Sequence, residues 1–340
     1  MTHPIITFNH AHRLVKHSLS RGSSIMLHGS PSSGKTAVGA LVAKECHLEP
    51  IVFSLMDHEP TDICGLPDLA GSKATFKPFD TFPIVGDKLP EGKVGWLIML
   101  DEYSSGSRAM QAAANKLLYE RMVGNHQLHP KAFVMAMGNL ATDNAYVQEM
   151  PAHSKSRQLH LYVTQDIIEW TDWAITKKLD SRVISYAMSK PSTITKYDPD
   201  YVGINYPCAR TMEMLSEQIK GTELTRDLLP LVQGTVGEGV GLEFFNFCQI
   251  SDKLPSIKDI LKDPANTEVP QKNSYKYAMS GMLVESFTTE NAPAIVTYLM
   301  RMTRDYQYMI IKMAITSNTS LLGVPEIDSW VTNNAKYFFK

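Results

Sequence analysis

Gly29-Ser30-Pro31-Ser32-Ser33-Gly34-Lys35-Thr36 is the stretch on which the fold turns. It fits the spacing G-x-x-x-x-G-K-[ST] and lies between a strand-length apolar run, Ile25-Met26-Leu27, and a helical pattern from Thr36 to Cys46. Strand, glycine loop and helix in that order gather backbone N–H groups into a concavity, because glycine reaches angles closed to other residues. The following helix points its positive end at the same place. Phosphate oxygens are the ligand that suits such a loop. The expected contacts are Gly29, Ser30, Pro31, Ser32, Ser33, Gly34, Lys35, Thr36 and Ala37. Lys35 would reach the β and γ phosphates of ATP, and the Thr36 hydroxyl would ligate Mg²⁺. Ser32 stands where many such loops carry glycine, but the spacing is kept.

Downstream, Trp96-Leu-Ile-Met-Leu100 is an apolar run that ends in two carboxylates, Asp101 and Glu102. At the C-terminal end of a parallel strand, side chains emerge beside the phosphate loop. Asp101 would hold Mg²⁺, directly or through water. Glu102 would orient and deprotonate an attacking water. An acidic pair at a strand end is commonly just solvated; its place downstream of Lys35 favours the chemical reading.

Five apolar runs mark the first half: Ser24 to Leu27, Ile51 to Leu55, Trp96 to Leu100, Phe133 to Met137 and Leu159 to Val163. Most are continuously apolar, which suits parallel strands covered on both faces. Helical patterns lie between several of them, one from Arg108 to Arg121 with Ala109, Ala112, Ala113, Lys116 and Leu117 on one face. The expectation is a three-layer αβα core with a parallel five-stranded sheet over residues 1–164. Asp57 to Gly95 is rich in proline and glycine and too long for a plain connection, so loops or small hairpins are expected there. From residue 165 to 340 the pattern is helical: Gln165 to Lys178, Arg210 to Lys220, Leu242 to Ile250 and Pro293 to Thr316.

Composition narrows the partners. The 340 residues carry 33 Lys plus Arg against 35 Asp plus Glu, a net charge of −2. A near-neutral chain has no global signature for nucleic acid or an anionic membrane. Cys46, Cys64, Cys208 and Cys248 form no C-x-x-C pair, which fits free thiols in a reducing, cytoplasmic setting. The stretch from Met1 to Ser20 is interrupted by His10, His12, Arg13 and Lys16, so neither a signal peptide nor a spanning helix is expected. His10 and His12 are two positions apart on a helix and point to different sides, which does not suit a shared metal.

With the loop and the acidic strand end in place, the chain resembles the AAA+ ATPases. It is most similar to the MoxR-like branch, whose ATPases are paired with von Willebrand factor A domain proteins. The resemblance covers nearly the whole chain. Val134-Met-Ala-Met-Gly-Asn139 resembles the sensor 1 strand, and Asn139 would then hydrogen-bond the attacking water or the γ-phosphate. Met150-Pro-Ala-His-Ser-Lys-Ser-Arg157 precedes the fifth core strand, where the family places an arginine that reaches a neighbour's nucleotide. Arg157 is that candidate finger; Lys155 lies nearby, but a planar guanidinium suits the role better. Tyr206-Pro-Cys-Ala-Arg210-Thr-Met-Glu resembles the start of the sensor 2 helix, with Ala209 and Met212 departing from the family's proline and tryptophan. Asp62-Ile-Cys-Gly65-Leu-Pro67 resembles the segment before the family's helix 2 insert, and Arg121-Met-Val-Gly-Asn125 through Pro130 resembles the hairpin before sensor 1. Phe79, Trp96 and Tyr103 are aromatic there, but such residues are more often packed than functional, and no site is assigned to them.

The resemblance implies an ATP-hydrolysing homo-oligomeric ring, six subunits by family habit, with a helical lid and C-terminal extension at 165–340. It implies ATP and Mg²⁺ as ligands and a remodelling, chaperone-type action on a protein partner, with a von Willebrand factor A domain protein alongside. Two rivals stand against it. One is a nucleic-acid motor, which needs a positive groove that the charge balance does not advertise. The other is a scaffold that binds ATP and scarcely hydrolyses it.

Overall fold

The computed structural model describes residues 4–143, 150, 152–250 and 254–334, with only the backbone of residues 152 and 153. Contacts divide the chain into two units. The first runs to Asp166 and includes Tyr197–Asp200; the second comprises Ile167–Lys196 and the residues from Tyr201 on.

The first unit is built on one parallel sheet. Its strands are β1 (Ile5–Ile6), β2 (Ile25–His28), β3 (Leu48–Ser54), β4 (Gly95–Asp101), β5 (Ala132–Gly138) and β6 (Leu159–Val163). They lie in the order β1-β6-β2-β5-β4-β3. The five apolar runs supply β2 to β6. The sixth strand, β1, adds a two-residue edge beside Tyr162 and Val163 that is too short to leave an alternation in sequence.

The reason those runs are continuously apolar is visible in the packing. Ile25, Leu27, Leu97, Met99, Met135 and Met137 face one layer. Met26, Ile98, Leu100, Val134 and Ala136 face the other. Helices α1 (Phe8–Ser20) and α2 (Lys35–Glu45) cover the first face through Ala11, Val15, Val38 and Val42. Helix α3 (Arg108–Asn115), continued by a π-helical turn over Lys116–Glu120, covers the second through Met110, Ala114, Leu117 and Leu118. The chain therefore has the three-layer αβα architecture of a P-loop core, followed by a helical region.

Two local expectations change. On α3, Ala109 and Ala112 are exposed while Met110 and Ala114 are buried. The buried face is shifted by about one residue, because Met110 and Leu118 each bury far more apolar area than an alanine methyl. The expected helix from Pro293 to Thr316 is two helices, Ala292–Leu299 and Arg304–Ser317. Thr303, with extended backbone (φ −69°, ψ 155°), starts the second one, and Asp305 sits in its first turn.

The stretch from Asp57 to Gly95 contains a short helix, Pro60–Cys64, and an antiparallel ribbon, Leu66–Asp68 with Thr75–Lys77. A second ribbon pairs Met122–Val123 with His126–Gln127. The first ribbon is tied to the second, since the His126 ring Nε2 lies 2.7 Å from the Phe76 carbonyl oxygen. Ile84 pairs with Leu128 just beyond the second ribbon. Leu66, Leu69, Phe76 and Phe79 are exposed in this region.

The second unit is helical around its own core, which includes Trp170, Met212, Phe244, Leu283, Tyr298 and Ile310. Trp330 closes one side, its indole N–H donating to Gln307 Oε1 at 2.9 Å. No described helix is long and apolar enough to cross a membrane. The four cysteines form no disulfide.

Candidate functional site

β2, β5 and β4 are neighbours in the sheet and parallel, so the segments after these strands arrive at one edge. The loop Gly29 to Gly34 leaves β2, Asn139 leaves β5, and Asp101 with Glu102 ends β4. This is the carboxyl edge of an open parallel sheet, where ligands bind in doubly wound folds.

The loop is held in shape by backbone choice and anchoring. Ser32 (φ 62°) and Gly34 (φ 89°) are both left-handed, and Gly34 caps the N-terminus of α2. Left-handed positions interleaved with others turn successive N–H groups inward, which makes an anion nest. Gln165 Nε2 donates to the Ser32 carbonyl and steadies that strained peptide. Gly29 is fixed by space, since a Cβ there would sit 2.6 Å from the Val163 carbonyl oxygen. Its N–H donates to the Gly138 carbonyl at 3.3 Å, tying the loop to β5. The Ser33 hydroxyl is buried without a hydrogen-bond partner.

Lys35 is buried at the first position of α2, and its ammonium is drawn into the loop. It donates to the Gly29 carbonyl at 2.7 Å, the Ser30 carbonyl at 3.1 Å and Asn139 Oδ1 at 3.1 Å. The Thr36 hydroxyl donates to Asp101 Oδ2 at 2.8 Å. Asp101 Oδ1 accepts the Glu102 N–H at 2.8 Å, which fixes the carboxylate plane. Glu102 has a left-handed backbone (φ 50°), and its Oε2 accepts from the Ser54 hydroxyl at 3.4 Å. Four of the residues named singly from the sequence are thus joined by direct hydrogen bonds, Lys35 with Asn139 and Thr36 with Asp101, and Glu102 adjoins them. Ala37 is exposed on the outer side of α2.

These residues fit a magnesium–triphosphate. The nest and the buried ammonium suit phosphate oxygens, and a hydroxyl beside a carboxylate is a hard-oxygen donor pair. Among the described residues, no group of three or more His, Cys, Asp or Glu converges on a metal position.

Three residues here carry no local signal in the sequence. Asp143 is buried, and its carboxylate accepts from the Ser30 hydroxyl at 3.0 Å and from the Leu140 N–H at 3.1 Å. It clamps the loop to the turn after Asn139, and the Tyr197 hydroxyl donates to its carbonyl at 3.3 Å. His28, the last residue of β2, shares a 2.8 Å hydrogen bond between its Nε2 and His160 Nδ1. Its ring stacks on Tyr162 with centroids 4.6 Å apart. No local pattern pairs residues 113 or 132 positions apart in the chain.

Arg157 lies at the opposite edge. It precedes β6, whose first residue pairs with Ile25 at the start of β2. A strand of that length spans about 15 Å, so Arg157 and its own phosphate loop are at opposite ends of the sheet. Arg157 is exposed and borders a cavity of about 860 Å³ together with Ser24, Tyr119, Arg121 and Phe133. Of the stretch from Met150 to Arg157, Pro151 lies outside the described residues. Arg210 belongs to the second unit, where it is exposed in the first turn of the helix Ala209–Ile219.

No protein-family model matches the sequence, and no curated protein matches it. Among solved structures, the chain is similar to the RuvB Holliday junction branch migration motor of Thermotoga maritima at 15% identity and a TM-score of 0.36, covering 76% of this chain and 75% of that one. It is also similar to NtrX from Brucella abortus in complex with ADP at 12% identity and a TM-score of 0.40, covering 97% of this chain and 67% of that one. The chemistry available to the site is set by its own residues.

Proposed function

We propose that this chain is an ATPase of the AAA+ type, MoxR-like in character, that hydrolyses ATP in a homo-oligomeric ring and remodels a protein partner. The observation that carries the reading is the joined set at the sheet edge: Lys35 bound to Asn139 at 3.1 Å and Thr36 to Asp101 at 2.8 Å. The loop holds the triphosphate through the backbone N–H groups that face into it between Ser32 and Thr36, and Lys35 neutralises charge on its outer phosphates. Thr36 and Asp101 would hold Mg²⁺, which supplies further neutralisation at the phosphoryl group. Glu102 takes the proton of the attacking water, and Asn139 orients that water. Arg157 would enter the site of a neighbouring subunit, and its place at the edge away from its own loop supports that reading. Arg210 acts from the helical region as the second sensor. The nucleotide-binding domain in this reading is residues 1–164 and the lid with its extension is 165–340.

The partner part of the proposal rests on the resemblance to ATPases paired with von Willebrand factor A domain proteins, and the ring of six on family habit. The exposed apolar residues of the ribbon at Leu66–Lys77 offer a surface for a polypeptide client.

Two variants test the chemistry. Lys35→Ala is expected to lose ATP binding by calorimetry. Glu102→Gln is expected to bind ATP normally while turnover falls by about 10²–10⁴-fold, the usual share of general base catalysis. An undiminished rate in Glu102→Gln removes the base assignment. Adding DNA or RNA is expected to leave the ATPase rate unchanged. A stimulation that collapses steeply with salt would move the reading to a nucleic-acid motor.

A further inference from the structure

The turn that carries Arg157 is held by a partly buried chain of side-chain hydrogen bonds that starts beside Glu102. Tyr103, the next residue, is fully buried, and its hydroxyl donates to Asn115 Oδ1 at 2.6 Å. The amide of Asn115 donates onward to Ser154 Oγ at 3.0 Å. One turn along the same helical run, the Tyr119 hydroxyl donates to the Ser154 carbonyl at 3.0 Å and accepts from Gln158 Nε2 at 2.5 Å. That same carbonyl takes the backbone N–H of Arg157 at 3.2 Å. The Arg157 guanidinium carbon lies 5.6 Å from the centre of the Tyr119 ring. At its start the chain is anchored again, because Gln111 Nε2 donates to the Tyr103 carbonyl at 3.2 Å.

Each feature suits positioning. Four hydrogen bonds in series, through side chains that are buried or half-buried, favour one arrangement of the turn, with the Gln158 side-chain oxygen buried and left unpartnered at the end of the set. Burial pushes the Tyr103 hydroxyl well above its ordinary range, so it stays a donor at every working pH. The chain ends beneath an exposed cation and not in the apolar core. A second strut reaches the same turn from the phosphate-loop strand: His28 bonds to His160 at 2.8 Å, and His160 Nε2 to the Lys155 carbonyl at 2.7 Å. Since a carbonyl only accepts, His160 Nε2 carries a proton and His160 Nδ1 accepts from His28 when both rings are neutral.

We infer that Tyr103, Asn115, Tyr119 and Ser154 are positioning residues that set the reach of Arg157 from the strand end bearing Glu102. A subunit's own site and the arginine it lends are then parts of one rigid piece. The inference rests on the reading of Arg157 as the arginine supplied to a neighbour.

The test uses the full chain with Tyr119→Phe and, as a second variant, Tyr103→Phe. Each removes one hydroxyl and keeps the ring. Turnover is expected to fall about ten-fold with the KM for ATP unchanged, since small misplacements of a catalytic group are costly. Mixing with Glu102→Gln subunits, which supply an intact arginine but no base, is expected to restore turnover at the variant's own sites. A defect that mixing does not relieve, in both variants, overturns the inference, because it is then confined to the variant's own fold. Arg157→Ala is measured in parallel. If it is relieved by mixing and the tyrosine variants are not, the positioning role alone is wrong. If Arg157→Ala turns over normally, the supplied-arginine reading fails and the inference falls with it.

Discussion

Glu102 sits in a left-handed conformation at φ 50°, which costs a residue with a Cβ about 1–2 kcal/mol. Strain of this kind concentrates at functional positions, where the surrounding structure over-determines it. Here Asp101 Oδ1 grips the Glu102 N–H at 2.8 Å, and Tyr103 is buried immediately after it. A comparison of Glu102→Gly with Glu102→Ala isolates the backbone term, since both lose the carboxylate. The glycine variant is expected to be more stable by about 1 kcal/mol in urea denaturation, and both are expected to lack turnover. Equal stability of the two would show that position 102 carries no strain. Gly29 is a matter of the same scale, since no side chain fits there against the Val163 carbonyl.

Among the elements, α2 does two things that compete. Its N-terminus presents Lys35 to the loop, and its inner face must lie close to the sheet to bring it there. Gly39 allows that approach, since a Cβ at this position would overlap the Met99 sulfur on β4. Gly39→Ala removes a helix-weakening glycine, which favours the helix by about 1 kcal/mol, but overpacks a tight contact at a cost of about 1–3 kcal/mol. Thermal unfolding is expected to show net destabilisation. A gain in melting temperature would mean that Met99 yields freely. In α3 the balance runs the other way. Its alanines leave the buried face ambiguous in the sequence, and packing of Met110, Leu117 and Leu118 against the sheet decides it.

For the whole molecule, the decisive feature is the separation of Arg157 from the loop by the length of the sheet. A guanidinium at that edge acts on phosphate only if another subunit brings its loop there. Arg157→Ala is therefore expected to keep ATP affinity and lose turnover by about 10³-fold or more, the usual effect of a supplied arginine. Its own sites should recover when mixed with Glu102→Gln subunits. Native mass spectrometry is expected to show a closed homo-oligomer with ATP bound. A monomer that hydrolyses ATP at the full rate would end the ring reading.

The order of strand, loop, helix and acidic strand end was legible in the sequence, because each is a local pattern set by backbone freedom and apolar periodicity. Residues Lys35, Thr36, Asp101 and Glu102 could be named from those patterns, and Asn139 from its place at the end of an apolar strand together with the family resemblance. The clamp of Asp143 on Ser30, the His28–His160 pair and the chain from Tyr103 to Ser154 were decided only by tertiary structure. The clamp and the histidine pair join residues far apart in the chain, and a hydrogen bond between two side chains leaves no periodicity in either segment. Short elements behave likewise: β1 is a strand only because β6 offers it an edge to pair with.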